Sequence, residues 1–130
     1  MIQVLIADDD PLLRDILEHK LGAAGYGVTS VGDGQAALDA LASVGDGPLP
    51  QLVVLDAMMP IMDGFEVLRR MKADPSLAHV VVVMLTALKR QDDVLGALRL
   101  GAQDYVSKPF NPDELVARLE RLSAHLRVSS

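Results

Sequence analysis

Apolar runs and helical stripes alternate along the chain, and each run ends at a polar or charged residue. Ile2 to Ala7 predicts a first strand that leads directly into Asp8-Asp9-Asp10. Pro11 stands at a first helical position with Asp10 as its N-cap, and Leu13, Leu17 and Leu21, with Leu12 and Ile16 alongside, form the apolar stripe of a helix that stops near Gly25. Tyr26 to Val31 predicts a short second strand, and Asp33 caps a second helix carrying Ala36, Ala37, Leu38 and Leu41. Gly45 to Pro50 reads as a loop. Gln51 to Leu55 is a third strand whose unbroken apolar run suits burial on both faces. It ends at Asp56, before Pro60 and Gly64 bar regular continuation. Asp63 caps a third helix with Phe65, Val67, Leu68 and Met71, broken at Ala73-Asp74-Pro75-Ser76. Val80 to Leu85 is the clearest buried strand, β-branched for most of its length, and ends at Thr86-Ala87. A fourth helix, about Gln91 to Leu100, closes at Gly101, and Asp104 to Val106 is a short fifth strand ending at Ser107-Lys108-Pro109. Asn111 as N-cap, Pro112 at N1 and Glu114 at N3 open a last helix, whose Leu115, Leu119, Leu122 and Leu126 form a core-facing stripe.

Five strand–helix alternations with short connections predict an α/β fold, a doubly wound parallel sheet with helices on both faces. The expectation is one domain over residues 1–130, its core about 2–126, with no internal linker. In a parallel sheet all strand carboxyl ends share one rim. Asp8 and Asp9, Asp56, Thr86 and Lys108 are therefore expected to converge despite their separation in sequence. Three carboxylates in one cleft repel one another unless a cation offsets them. Hard oxygen donors without any Cys point to Mg²⁺ or a similar ion such as Mn²⁺. Lys108 offers a point charge suited to phosphate and Thr86 a hydroxyl. A carboxylate nucleophile, a divalent ion, a hydroxyl and an ammonium are the parts of phosphoryl transfer to Asp56.

Composition narrows the setting. Half of the 130 residues are hydrophobic, which argues against disorder. Twelve Lys plus Arg against 18 Asp plus Glu give −6, a balance that disfavours nucleic-acid backbone binding by this domain. The absence of Cys fits a reducing cytoplasm, and the run from Val80 to Leu85 falls far short of the ~20 residues of a membrane span. The first residues carry neither the basic head nor the small-residue cleavage site of a leader, so a cytoplasmic location without membrane contact is expected.

Several motifs, in order, carry a more specific signal: Val4-Leu5-Ile6-Ala7-Asp8-Asp9-Asp10; Asp56 followed by Met59-Pro60 and Asp63-Gly64; Leu85-Thr86-Ala87; and Tyr105 through Lys108-Pro109-Phe110. Over nearly the whole chain this resembles the receiver domain, chemotaxis-receiver type, of two-component response regulators. The resemblance implies the flavodoxin-like sheet order 2-1-3-4-5 with five flanking helices. It implies that Asp56 accepts a phosphoryl group from a phosphohistidine of a sensor histidine kinase or histidine phosphotransfer protein. It further implies Mg²⁺ ligated by Asp9 and Asp56, by Asp8 through water and by the Met58 carbonyl. Lys108 would pair with a phosphoryl oxygen, Thr86 and Tyr105 would act as switch residues, and the Lys108-Pro109 bond would be cis. The face of helix four, strand five and helix five would engage a partner, an output domain or a second copy. Such a domain is a switch rather than an enzyme, with only self-directed phosphotransfer and autodephosphorylation. Receivers vary two residues beyond the acceptor and two beyond the Thr. Here these are Met58 and Leu88, neither able to polarise a hydrolytic water, so a long-lived phosphoryl group is expected. Arg90, Asp92, Asp93, Arg99, Asp104, Arg118, Glu120 and Arg121 could support salt bridges across a dimer, but Gln103 departs from the acid usual at its position.

Simpler readings exist for each residue. Asp10, Asp33 and Asp63 serve as caps, and Asp8 and Asp9 alone would be solvated turn residues. Thr86, Lys108 and Tyr105, each alone, would be a strand terminus, a surface lysine and edge packing. His19, His79 and His125 form no ligand spacing, and Met58, Met59 and Met62 read as packing and loop residues. Asp8-Asp9-Asp10 also resembles the Asp-x-Asp of haloacid-dehalogenase-type phosphatases, with Asp8 as nucleophile and Asp10 as acid–base. That reading needs a later acidic strand end and leaves Asp56 without a role. A docking-only pseudo-receiver would normally lack the acceptor, an acid or the lysine.

Overall fold

A computed structural model describes residues 1–43, 49–87 and 91–129, with backbone only at 91–94, 125 and 127–129. The elements run β1 (Gln3–Ala7), α1 (Pro11–Ala23), β2 (Gly27–Val31), α2 (Gly34–Ala42), β3 (Leu52–Asp56), α3 (Gly64–Ala73), β4 (Val81–Thr86), α4 (Gln91–Arg99), β5 (Asp104–Ser107) and α5 (Pro112–Ser129). The strands form one parallel sheet in the order β2-β1-β3-β4-β5. This is the doubly wound, flavodoxin-like arrangement.

Side-chain alternation along the strands sorts the interior into two layers. Leu5, Ala7, Val53, Leu55, Val82 and Met84 face α2, α3 and α4, where they meet Ala37, Leu41, Val67, Leu68, Met71 and Ala97. Val4, Ile6, Leu52, Val54, Val83 and Leu85 face α1 and α5, meeting Leu17, Leu21, Leu115 and Leu119. β3 is buried at every position because strands flank it on both edges and helices cover both faces.

The helix starts follow the capping chemistry. Asp10 accepts from the Leu12 and Leu13 amides, Asp33 from Ala36 and Asp63 from Glu66. Asn111 Oδ1 accepts from the Asp113 amide at 2.9 Å, but Glu114 at N3 turns away from the cap to pair with Arg118 at 3.3 Å. α1 and α4 give way at Gly25 (φ 95°) and Gly101 (φ 109°).

Two further expectations need correction. Leu12 is 67% exposed, because the Leu13-Leu17-Leu21 row faces α5 and Leu12 sits about a quarter turn off it. Strand β3 extends one residue further than its apolar run, because Asp56 continues the ladder opposite Leu85. Most of the Gly45–Pro50 loop, together with Leu88 and Arg90, lies outside the described residues, as do the side chains of Asp92, Asp93 and His125.

Candidate functional site

The polar residues at the strand carboxyl ends meet on one rim. Ala7 is the last residue of β1, and Asp8 follows it with its amide still bonded to the Val31 carbonyl of β2 at 3.1 Å. Asp56 is the last residue of β3, Thr86 the last of β4, and Lys108 directly follows β5. Asp8, Asp56 and Thr86 are buried, and Asp9 is exposed. Carboxylate oxygens of Asp8, Asp9 and Asp56 lie within 4.8 Å of one another.

Lys108 joins two of these acids. Its Nζ donates to Asp8 Oδ2 at 2.8 Å and to Asp56 Oδ2 at 3.0 Å. The remaining oxygens receive backbone amides, Asp8 Oδ1 from Asp10 at 2.9 Å and Asp56 Oδ1 from Met58 at 3.2 Å. Burial pushes the Asp56 carboxyl above the ordinary aspartate value. The Lys108 hydrogen bond and charge and the Met58 amide oppose that rise, while the Asp8 charge adds to it. Burial also works against the Lys108 ammonium, but its bonds to Asp8 and Asp56 outweigh this and hold the lysine above its ordinary value. The site is therefore a buried acid pair bridged by a protonated lysine.

The loop after β3 is tightly built. Gly64 opens α3 with its amide on the Ala57 carbonyl at 3.0 Å, and a Cβ there would stand 2.3 Å from the Asp56 carbonyl oxygen. Only glycine lets α3 come this close to the strand end. Between them, the Met62 amide donates to the Pro60 carbonyl at 2.7 Å, with Ile61 at φ 70° in the middle. A γ-turn of this hand is strained for a β-branched residue. Ile61 is 80% exposed and Met58 59% exposed, both on the open side of the loop.

Tyr105, near the start of β5, is half-buried against the α2–α3–α4 layer and pairs in register with Met84, two residues before Thr86. The Lys108-Pro109 peptide is cis. Beside Lys108 lies a cavity of about 350 Å³ lined by Asp10, Leu13, Ala87, Pro109 and Phe110. A larger one, about 390 Å³, sits near the opposite end of the sheet among Leu38, Leu41, Leu77 and Asp74, away from the acids. On the α4–β5–α5 side, Arg118 pairs with Asp104 at 3.1 Å and with Glu114. Asp10 is engaged as a helix cap, which is not the geometry of a free acid–base.

Two contributors escaped the sequence reading. Gly64 has a steric reason that its sequence alone did not reveal. Arg14 donates from Nη1 to the Asp8 carbonyl at 2.7 Å. The signal available for Arg14 was a cation in the opening turns of a helix, where the macrodipole disfavours it.

The donor set fits a hard divalent cation. Three carboxylates converge, one is open to solvent, and no thiolate or imidazole lies among them. No helix among the described residues is long and apolar enough to cross a membrane.

Comparison with known proteins agrees with this geometry. The family model described as the response regulator receiver domain matches residues 4–120. The chain is 44% identical over 117 residues to the DNA-binding response regulator MtrA of Mycolicibacterium smegmatis, covering 90% of this chain and 48% of that protein. It thus spans about half the length of that curated relative. Among solved structures, it is similar to the receiver domain of a signal transduction histidine kinase from Syntrophus aciditrophicus. The TM-score is 0.85 and the identity 32%, covering 96% of this chain and 92% of that one. The Mn(2+)-bound form of response regulator Rcp1 is similar at TM-score 0.79 and 26% identity, covering 95% and 93%.

Proposed function

Because this chain belongs to the response regulator receiver domain family of two-component systems, we propose that Asp56 is its phosphoryl acceptor and that the chain works as a phosphorylation-driven switch. The observation that carries this reading is the Lys108 ammonium bridging Asp8 and Asp56, with Asp9 alongside, at the ends of separate strands.

The donor is a phosphohistidine of a sensor kinase or phosphotransfer protein. An Asp56 oxygen forms a bond to phosphorus as the phosphorus–nitrogen bond breaks, and the histidine nitrogen keeps the electron pair. Asp8, Asp9, Asp56 and the Met58 carbonyl would hold Mg²⁺ or Mn²⁺, Asp8 through water. When bound, such an ion supplies charge neutralisation for the phosphoryl oxygens. Lys108, already beside Asp56, turns its charge to a phosphoryl oxygen, and the Thr86 hydroxyl donates to another. Tyr105 takes up the space behind Thr86, and the α4–β5–α5 face changes to engage an output domain, a partner or a second copy. The chemistry is confined to the domain itself: phosphotransfer to Asp56 and later hydrolysis. Residues 1–130, with a core of about 2–126, act as one receiver unit in the cytoplasm, and nucleic-acid contact, where it occurs, belongs to other domains.

Incubation with acetyl phosphate and Mg²⁺, followed by intact-mass and peptide mass spectrometry, tests the acceptor. One phosphoryl group on Asp56, absent from Asp56→Asn, is expected. Labelling of Asp8 would instead support the phosphatase-like reading. Sizing by light scattering with Mg²⁺ and beryllofluoride tests the second copy, and an unchanged mass rules out dimer switching.

A further inference from the structure

Asp9 is the exposed acid of the three, and its carboxylate has no hydrogen-bond or ion-pair partner among the described residues. Its place near Asp8 and Asp56 therefore depends on the backbone that carries it. That backbone is held at both ends of Asp8. The Asp8 amide bonds to the Val31 carbonyl at 3.1 Å, and the Asp8 carbonyl, part of the Asp8–Asp9 peptide, accepts from Arg14 Nη1 at 2.7 Å. Arg14 is half-buried on α1, and its guanidinium lies over Gly32, with Nη1 3.1 Å from where a Cβ would stand. It forms no ion pair with a described carboxylate.

An arginine spent on a backbone carbonyl beside an acidic cluster is electrostatically out of place if that cluster binds a cation. Its charge opposes the incoming ion, whereas its hydrogen bond fixes the peptide plane that aims Asp9. We propose that Arg14 is a positioning residue of the divalent-cation site, holding the Asp8–Asp9 peptide so that the Asp9 carboxylate converges with those of Asp8 and Asp56. This rests on the cation-assisted reading above, and it assigns the organisation of that site to a residue that touches neither ion nor phosphoryl group.

The two effects of Arg14 have opposite signs, which makes the test decisive. Removing its charge alone would tighten cation binding, whereas removing its hydrogen bond would loosen it. Mn²⁺ binding to the full chain, followed by the electron paramagnetic resonance signal of the free ion, is expected to weaken about 10-fold in Arg14→Met, which has no donor for the Asp8 carbonyl, the scale for losing a residue that orients a ligand. Arg14→Lys, which keeps a donor on a shorter reach, should recover part of the loss. Thermal unfolding in EDTA runs in parallel. If Arg14→Met does not fold, Gly32→Ala displaces the guanidinium more gently and should weaken binding in the same direction. Unchanged or tighter Mn²⁺ binding in the folded variant overturns the assignment, even with a lowered melting temperature. Absence of Mn²⁺ binding by the wild type overturns the cation-assisted reading beneath it.

Discussion

Replacing Lys108 by Met tests the electrostatic core of the site. The change keeps most of the aliphatic stem and removes the ammonium that bridges Asp8, whose side chain is fully buried, and Asp56. Breaking a buried pair by deleting one partner typically costs 3–5 kcal/mol. Lys108 keeps 23% of its side chain exposed, and Asp56 can relieve the repulsion by taking a proton, so the lower end, about 3 kcal/mol at pH 7 without divalent ions, is expected. With a urea slope of roughly 2 kcal/mol/M, the midpoint should fall by about 1.5 M. The loss should depend on pH. Asp56 is held above its usual 3.8 in the folded chain. The stability tied to its proton is thus complete below that value and is lost as pH rises through the higher folded one. Without the ammonium the folded value moves up again, so the deficit of Lys108→Met should shrink on acidification from pH 7 towards 5. Mg²⁺ at 100 times its dissociation constant stabilises a binding-competent fold by about 2.7 kcal/mol. In the variant an ion meets no lysine on the same oxygens, so Mg²⁺ should restore more stability there than in the wild type. Urea titrations followed by circular dichroism at both pH values, with and without Mg²⁺, check these outcomes. A deficit that ignores both pH and Mg²⁺ would refute the bridged-acid picture.

Further outcomes follow from neighbouring residues. Met58→Asn should shorten the lifetime of the phosphorylated form by placing a polar group beside the scissile bond, as read by phosphate release; an unchanged or longer lifetime counts against Met58 as a shield. Gly64→Ala should destabilise by about 1–3 kcal/mol in thermal unfolding, because its Cβ meets the Asp56 carbonyl rather than a side chain that can move. Ile61→Gly should stabilise by roughly 1 kcal/mol by relieving the left-handed backbone, net of the entropy glycine adds to the unfolded chain, and a chemical melt reads the sign.

Much of this architecture could be read from the chain because local and global signals agree. Asp10, Asp33 and Asp63 sit where capping preference puts them, and the runs around Val54 and Val83 are long enough to mark central strands. The convergence of Asp8, Asp56 and Lys108 followed from one rule, that parallel strands end on the same rim. Helical spacing was less informative. Leu12 looks as apolar as Leu13, and only the direction in which α5 approaches decides which of them is covered. Glu114 had the sequence of a reciprocal cap, but Arg118 one turn later offers a charged partner, and the ion pair forms instead. Arg14 and Gly64 act on backbone carbonyls, which every residue possesses, so their partners leave no mark in the sequence.

The contact beneath Asp56 has a mechanical meaning. Where α3 meets β3, the neighbours are Gly64 and the Asp56 peptide, main chain against main chain, with the Ala57 amide tied across to the Leu85 carbonyl at 2.7 Å. Side chains absorb displacement by changing rotamer, and main chain lacks that freedom. On its α3 side, therefore, Asp56 rests on a stiff footing. Towards β5 its neighbour is the Lys108 side chain at 3.0 Å, and this is the compliant direction in which a change of charge at Asp56 can do work.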